Sequence, residues 1–332
     1  MSLSSNPFDY DRARGCMAGL ALGDALGRPV EGLSAAEIQA QWGYIEGFID
    51  DEPAGSDDTE YALLSASTVL RVGTGATMHD FAQSWIDDVL PQASEFAGGG
   101  FSEMAAIDNL RKGVAPPQSG DHIHAWSDGL AMRVAPLGIV ANGDVAMAAR
   151  LAEADGAVSH SGEGIYAGVA VAVAVTAAMR GASSEQCFDE ALASIPSDSW
   201  TARHLQLAQR LVHEESDSAR LAVLLCDNLA ISDYFWADLA TEAVGLAFGA
   251  LLHGGGDVVR TTTFAVNLGR DSDTNAAIAG CIAGAISGES SIPGDWLAVV
   301  QPVKGSCIRT MAGLHPLHIA DQLGALIEGA SA

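Results

Sequence analysis

The chain has 332 residues, 48% of them hydrophobic, which is sufficient for a substantial core and normal for a globular protein. Its 42 acidic and 16 basic residues give a net charge of −26. Because so negative a field repels the phosphates of nucleic acids and of anionic membranes, we expect neither class of partner.

The cysteine content and the longest apolar run indicate a cytoplasmic protein. Five widely spaced cysteines contain no Cys-x-x-Cys pair, which argues against a disulfide scaffold and against a zinc site. We expect most of them to be small buried residues in a reducing cytosol. The most apolar run, residues 165–179, is shorter than the roughly 20 residues of a membrane span, so a buried helix is the better interpretation.

Apolar residues at helical spacing recur from the N-terminus onward. The first predicted helix, residues 10–26, is rich in Ala, Gly and Leu, and Pro29 follows its end. The segment 34–42 opens with Ser34 and carries Glu37, which is typical of a capped short helix that stops at Gly43. Further helices are predicted at residues 60–72, 146–154, 165–179, 200–213, 219–229, 236–252, 275–286 and 319–328.

Alternating patterns that would indicate strands are absent. Residues 258–266, with their run of threonines, fit a strand or a helix equally well. No segment has the length or composition of an interdomain linker. The sequence therefore predicts one all-α domain over residues 7–332.

Two acidic clusters precede apolar helices. The first is residues 56–60, Ser-Asp-Asp-Thr-Glu, and the second is residues 270–275, Arg-Asp-Ser-Asp-Thr-Asn. Helix capping is one explanation, since Ser, Asp and Thr are preferred caps and Asp57 with Glu60 has the spacing of a capping pair. A cap needs one oxygen, however, whereas each cluster offers three or four. If the two helix starts meet, they form an oxygen-only site for Mg²⁺ or Mn²⁺.

Four segments resemble the ADP-ribosylglycohydrolase family, and they follow the family's order along the chain. They are residues 15–27 with the following Pro-Val-Glu at 29–31, residues 56–59, residues 127–138, and residues 269–285 with their Asp-x-Asp-Thr element. Ser159-His160-Ser161 is similar to the family's Ser/Thr-His turn before a long apolar helix. The resemblance implies a compact orthogonal helical bundle with a dinuclear metal cleft.

The resemblance also implies a site and an activity. Its metal ligands, for two Mg²⁺ or Mn²⁺ ions, would be Ser56, Asp57, Asp58, Asp271, Asp273 and Thr274. Its catalytic residues would be Glu31, Asp57 and Asp58, with Glu31 near the reacting ribose. Its substrate-binding residues would be Gly99, Gly100, Phe101, Ser127, Asp128, Gly129 and His160. The first three belong to the glycine-rich segment, residues 97–102, which resembles the loop whose backbone N–H groups meet the diphosphate in relatives. The implied reaction is cleavage of the glycosidic bond of an ADP-ribosyl group on a small molecule or a protein.

Some residues depart from the family pattern. Asp128 stands where many relatives carry Asn, and Arg270 stands where Gly is commoner. A carboxylate at position 128 would repel a diphosphate, so hydrolysis of another ribosylated compound or of a nucleoside is an alternative. A second alternative is a catalytically silent, crystallin-like binding protein, which the intact acidic clusters argue against. His122 and His124 could be a metal pair, but the pattern is more typical of a surface turn.

Overall fold

The computed structural model describes residues 7–92 and 98–330, and within those ranges it contains 17 α-helices and no β-strand. The prediction of an all-α fold is therefore confirmed. The last two residues of the predicted domain, residues 331–332, and Ala97 of the glycine-rich segment lie outside the described residues.

The first half of the fold contains eight helices. They are α1 (Tyr10–Gly27), α2 (Ala35–Trp42), α3 (Asp57–Val72), α4 (Met78–Ser84), α5 (Phe101–Arg111), α6 (Gly129–Arg133), α7 (Ala135–Ala141) and α8 (Val145–Gly156). A π-helical turn at Trp85–Val89 extends α4, and a 3₁₀ turn at Arg28–Val30 follows α1 directly. This turn leads to Glu31.

The second half contains nine helices. They are α9 (Glu163–Met179), α10 (Ser184–Ala193), α11 (Trp200–Glu214), α12 (Ser218–Leu229), α13 (Ala240–Gly254), α14 (Val258–Val266), α15 (Ser272–Ser287), α16 (Gly294–Leu297) and α17 (Pro316–Ala330). The segment 258–266, which the sequence left open between strand and helix, is thus helical. A loop of residues 298–315, with a 3₁₀ turn at Arg309–Met311, joins the last two helices.

Every helix predicted from the sequence is present, and the largest error in a predicted start is at α13. Helix α13 begins at Ala240 rather than at residue 236, because Leu239 forms an isolated bridge with Ser127 and the Ala240 N–H donates to the carbonyl of Trp126. Trp236 consequently lies in the preceding loop. The predicted cap of α2 is confirmed, since Ser34 and Glu37 form a reciprocal capping box and the helix ends at Gly43.

Glycines on α1 allow it to pack directly against α15. A Cβ atom at Gly19 would lie 2.0 Å from the carbonyl oxygen of Gly280, so only glycine permits this approach. At the end of α1, a Cβ at Gly27 would lie 2.4 Å from the Cα of Asp273. The close packing therefore brings the C-terminal turns of α1 onto the N-terminus of α15, where the second acidic cluster lies.

The core consists mainly of small and branched residues. Helix α9 buries a nearly continuous Ala-Val run, and α13 and α15 are buried over most of their length. All five cysteines are free thiols, and all but the half-buried Cys226 are buried, as predicted. None of the helices in the described ranges is both long and apolar enough to cross a membrane.

Candidate metal centre and active site

The two acidic clusters lie at the starts of α3 and α15, but their first residues do not cap those helices. Ser56 and Asp271 occupy the N-cap positions, and neither side chain makes a capping hydrogen bond. By contrast, the N-cap side chains of Asp144 on α8 and Asp257 on α14 do bond the helix. Helix capping therefore does not explain Ser56 and Asp271, the two residues at the N-cap positions.

The two clusters meet in space. The Thr274 hydroxyl donates to Asp58 Oδ1 at 3.0 Å, although the two residues are 216 positions apart. Carboxylate oxygens of Asp24, Asp58 and Asp273 lie within 4.8 Å of one another, and those of Glu31, Asp271 and Asp273 do the same. Asp273 belongs to both groups, so the two groups form one continuous centre.

Several oxygens of this centre have no hydrogen-bond partner. Ser56 Oγ, Asp58 Oδ2 and Asp273 Oδ1 are buried and unpaired, and Asp58 and Asp273 are only 2% and 3% exposed. Burial, followed by the neighbouring carboxylates, raises the pKa of both acids well above the ordinary value. Buried carboxylates without partners are costly unless a cation compensates them. An all-oxygen donor set of this kind fits a hard divalent cation.

Asp24 belongs to the centre, although the sequence analysis does not single it out. It is fully buried on α1, where it accepts hydrogen bonds from the backbone N–H groups of Ser56 and Thr59 at 2.8 and 3.1 Å. Burial raises its pKa to about 6 despite these bonds. The signal that could have revealed it is an acidic residue amid the otherwise apolar Gly-Ala-Leu run of α1.

Glu31 lies at the exposed rim of the centre, at the end of the 3₁₀ turn after α1. Partial burial in the cleft, together with Asp271, Asp57 and Asp24, raises its pKa to about 7. Glu60, by contrast, points away from the cluster. Its carboxylate accepts the backbone N–H groups of residues 306–308 and thereby fastens the C-terminal loop to α3.

The glycine-rich segment lies beside the first cluster. The Gly99 N–H donates to Asp57 Oδ2 at 2.6 Å, and the Phe101 N–H at the start of α5 donates to Asp238 Oδ2 at 3.2 Å. Asp238 comes from the loop before α13, and burial and Asp271 raise its pKa to about 7. Carboxylates thus occupy two of the N–H groups that the resemblance assigns to a phosphate.

Of the substrate-binding residues predicted around position 128, Asp128 faces the cleft and its neighbours lie behind it. Asp128 is 2% exposed and its Oδ2 has no partner. Ser127 is fully buried, with its hydroxyl bonded to Glu103 at 3.0 Å and lying 3.1 Å from His160 Nε2. Gly129 packs against Glu103, because a Cβ atom at position 129 would lie 2.2 Å from Glu103 Oε1.

A buried network supports this wall of the cleft. Arg133 is fully buried and pairs with Glu103 and Asp155 at 3.0 Å each. Its guanidinium also donates to Ser159, which bonds His160 Nδ1 at 2.8 Å. Burial and Arg133 lower the pKa of His160 well below its usual range, which disfavours its charged form. His160 also lines a second cavity, of about 390 Å³.

Aromatic side chains form another wall. Phe101 packs against Trp236, with ring centroids 5.2 Å apart, and against Trp126 at 5.9 Å. Trp236 and Phe235 line the cleft and are 40% and 92% exposed. His124 packs on Trp236, and neither it nor His122 belongs to the carboxylate groups described above.

Together these residues enclose a cleft of about 580 Å³. Its acidic lining comprises Glu31, Asp57, Asp58, Asp128, Asp238, Asp271 and Asp273. Among the residues described, the one cationic side chain that lines it is Arg270, which is paired with Glu242 at 2.5 Å. The predicted residues Gly99, Gly100 and Thr274 also line it. The predicted residues that do not are Ser56, Phe101, Ser127, Gly129 and His160.

Known proteins are similar to this chain over most of its length. The family model of the ADP-ribosylglycohydrolases matches residues 5–329. A protein of Archaeoglobus fulgidus is 33% identical over 294 residues, which cover 86% of this chain and 90% of that protein. The ADP-ribosyl-[dinitrogen reductase] glycohydrolase of Rhodospirillum rubrum is 27% identical, and the match covers 89% of this chain and 92% of that protein. The chicken ADP-ribosylhydrolase ARH3 is 26% identical, and the match covers 86% of this chain and 88% of that protein.

The fold agrees as well. A solved structure titled ADP-ribosylglycohydrolase-related protein complex superposes with a TM-score of 0.69 and 25% sequence identity, and the match covers 96% of this chain and 98% of that one. The chain belongs to the ADP-ribosylglycohydrolase family and is a glycosidic-bond hydrolase of that type.

Proposed function

We propose that the protein is a metal-dependent hydrolase that cleaves the glycosidic bond of an ADP-ribosyl group on a protein or a small molecule. In this proposal two divalent cations, Mg²⁺ or Mn²⁺, are held by the six residues of the two helix starts, Ser56, Asp57, Asp58, Asp271, Asp273 and Thr274. The observation that carries it is the convergence of unpaired, buried oxygens from α3 and α15 on one cleft.

The donor set supports this assignment. Hydroxyl and carboxylate oxygens are the ligands preferred by Mg²⁺ and Mn²⁺, and each helix start supplies three of them. Asp24 adds a carboxylate to one group from the buried side. Divalent cations bound there would orient the hydroxyls of the ribose and polarise the attacking water.

The acids around the centre have distinct roles in the proposed reaction. Glu31 stands at the rim with a pKa raised to about 7, so it can take up and release a proton near neutral pH. Asp57 and Asp58 face the cleft, where their charge stabilises a sugar carbon that becomes cation-like as the bond breaks. Asp128 and the glycine-rich segment border the substrate on the remaining side.

The names of the relatives support an ADP-ribosyl substrate. The Rhodospirillum rubrum protein is named for the removal of ADP-ribose from dinitrogen reductase, and the chicken protein is named an ADP-ribosylhydrolase. We extend that substrate class to this chain, and we place the reaction in the cytoplasm, where ADP-ribosylated proteins would be encountered.

A metal-depletion experiment tests the proposal. Protein stripped with EDTA is assayed for release of ADP-ribose from ADP-ribosylated protein, with and without added Mg²⁺ or Mn²⁺. We expect activity only with metal, and a loss of at least about hundredfold in Asp58→Asn, because a hard cation loses a charged ligand. Asp80→Asn, in the exposed capping box of α4, is the matched control and should retain activity. Full activity in EDTA, or in Asp58→Asn, would refute the proposal.

A further inference from the structure

One buried ion pair holds the residues on both sides of Asp128. Glu103 and Arg133 are fully buried, and their carboxylate and guanidinium lie 3.0 Å apart. The Ser127 hydroxyl donates to Glu103 Oε2 at 3.0 Å, and the Gly129 carbonyl accepts from Arg133 Nη1 at 3.1 Å. Asp128 lies between these two residues and lines the cleft, and its Oδ2 has no hydrogen-bond partner. The ion pair therefore fixes the turn 127–129 from behind while Asp128 faces the cleft.

The same ion pair is part of a closed ring of hydrogen bonds. Arg133 donates to the hydroxyl oxygen of Ser159 at 2.9 Å, and that oxygen lies 2.8 Å from His160 Nδ1. On the other side of the imidazole, Nε2 lies 3.1 Å from Ser127 Oγ, whose hydroxyl leads back to Glu103. All five residues are at most 2% exposed, so solvent is not available to replace a bond that is lost.

The two charged members fix the direction of every bond in this ring, because a guanidinium only donates and a carboxylate only accepts. Ser127 gives its single hydroxyl proton to Glu103, so it accepts from His160, and Nε2 carries the imidazole proton. Nδ1 is then the acceptor for the Ser159 hydroxyl, whose oxygen accepts from Arg133. Burial and Arg133 lower the pKa of His160, which agrees with a single proton on this imidazole. The ring thus specifies the Nε2–H tautomer.

Glu103 also links the turn 127–129 to the glycine-rich segment. It lies in the first turn of α5, directly after that segment, and a Cβ atom at Gly100 would lie 3.3 Å from its Oε2. A Cβ atom at Gly129 would lie 2.2 Å from its Oε1, so a larger residue there would displace the carboxylate. Because Gly100 and Asp128 both line the cleft, one carboxylate sets the position of two of its walls.

We propose that Glu103 is a positioning residue of the active site, and that the ring it closes holds the turn 127–129 so that Asp128 faces the substrate. This inference rests on the proposed function, in which Asp128 borders the substrate. Both nitrogens of His160 and the hydroxyl of Ser127 are used within the ring. These two residues therefore support the wall of the cleft from behind and do not contact the substrate.

Nitrogen NMR of the histidines tests the ring without metal or substrate. The full chain is labelled with ¹⁵N-histidine, and the signals of His160 are assigned by difference from His160→Gln. We expect a proton on Nε2 and none on Nδ1. In Glu103→Gln the amide oxygen accepts from Arg133, so the amide nitrogen donates to Ser127, which then donates to His160 Nε2 and shifts the imidazole proton to Nδ1. A wild-type proton on Nδ1, or a folded Glu103→Gln that keeps Nε2–H, would overturn the inference.

Turnover tests whether the ring acts through Asp128. Glu103→Gln should lower kcat/KM for release of ADP-ribose from ADP-ribosylated protein at least about tenfold, because small displacements of a substrate-facing group are costly. Added to Asp128→Ala, it should lower kcat/KM less than about twofold further, since coupled residues are not additive.

Glu163→Gln is the matched control, because the Glu163 carboxylate likewise accepts backbone N–H groups at a helix start, those of Trp200 and Thr201 on α11. It should destabilise the protein and leave kcat/KM unchanged. Full turnover in Glu103→Gln, or losses that add in full to those of Asp128→Ala, would overturn the inference. Absence of turnover with either metal would refute the proposed function and the inference with it, whereas an Nδ1–H tautomer in the wild type would overturn the inference alone.

Discussion

The carboxylate of Asp24 on α1 accepts hydrogen bonds from both the backbone N–H and the hydroxyl of Thr59 on α3, at 3.1 and 2.5 Å. It also accepts the N–H of Ser56 at 2.8 Å. A distant aspartate thus satisfies the first N–H groups of α3, which are normally bonded by the helix's own cap. The Ser56 side chain consequently makes no capping hydrogen bond, and its Oγ is buried without a hydrogen-bond partner.

Replacing Asp24 by Ala should destabilise the protein more than the loss of an ordinary cap. The change leaves buried N–H groups unsatisfied, which costs about 3 kcal/mol, whereas Asp144→Ala at the local cap of α8 should cost about 1 kcal/mol. Urea unfolding in EDTA compares the two variants without any contribution from metal. Equal losses would mean that Asp24 contributes no more than a local cap.

This relationship explains why part of the site is predictable from sequence and part is not. The two acidic clusters are contiguous, so their pattern indicates a ligand-rich helix start. Asp24 is a lone acid in an apolar helix, and its role depends on α1 packing against α15 through Gly19 and Gly27, which no local pattern specifies. The same packing places Asp24 where it bonds the N–H groups of Ser56 and Thr59, so Ser56 does not cap α3.

The helices of the fold, too, are in part predictable from the sequence and in part not. Helices with strong apolar periodicity are predicted correctly, because burial of one face stabilises them. The sequence does not predict α4, α6, α7 and α16, which have seven residues or fewer, nor α5 and α10, in which apolar and polar residues are mixed in about equal numbers. The start of α13 is wrong because Leu239 bridges to Ser127 and holds residues 236–239 outside the helix. Such a tertiary contact is invisible to helical periodicity.

Asp273→Asn should abolish the response to metal without destabilising the metal-free protein. Asp273 Oδ1 is buried and unpaired, so removing its charge relieves repulsion from Asp271 and Asp58. We expect an equal or higher melting temperature in EDTA, and a much smaller rise on addition of Mg²⁺ or Mn²⁺ than in the wild type. Asp257→Asn, at the cap of α14, should keep the wild-type metal response. A normal metal-induced shift in Asp273→Asn would exclude Asp273 as a ligand.

The metal-free protein should lose stability as the pH rises from about 4 to about 7. Burial and neighbouring carboxylates raise the folded-state pKa of Asp24 to about 6 and those of Glu31 and Asp238 to about 7, above their unfolded values. The folded state therefore retains protons that the unfolded state has released, so the free energy of unfolding falls as the pH rises. This loss of stability is complete above the folded-state pKa values. Mg²⁺ should reduce this loss by compensating the ionised carboxylates.

Calorimetric melting temperatures across this pH range, in EDTA and in Mg²⁺, measure the effect. Asp238→Asn removes a titrating group that lies outside the carboxylate groups of the metal centre, so its curve in EDTA should fall less steeply than that of the wild type. A melting temperature that rises through this interval in EDTA would contradict the prediction.

Arg270→Gly should destabilise the protein even though it relieves backbone strain. Arg270 has a φ of 64°, a left-handed conformation that costs a non-glycine residue about 1 kcal/mol. Its side chain, however, is the charged partner of Glu242, which is 1% exposed, and an unpaired buried carboxylate costs about 3 kcal/mol. Chemical unfolding should show a net loss in Arg270→Gly and a recovery when Glu242→Gln is added. No recovery in the double variant would show that the ion pair is not the cause.

Asp128→Asn should tighten the binding of ADP-ribose in the presence of Mg²⁺. Asp128 lines the cleft, and an ionised carboxylate ~4 Å from a phosphate costs about 4 kcal/mol at an effective dielectric constant near 20. Burial and the neighbouring Asp271 raise the pKa of Asp128, so protonation relieves part of this cost. Asparagine keeps the shape and removes the remaining charge, so we expect an affinity gain of about tenfold by calorimetry, while Asp50→Asn at an exposed position should bind as the wild type does. Equal or weaker binding by Asp128→Asn would mean that Asp128 does not discriminate against the diphosphate, which would favour the proposed ADP-ribosyl substrate over the alternative of another ribosylated compound or a nucleoside.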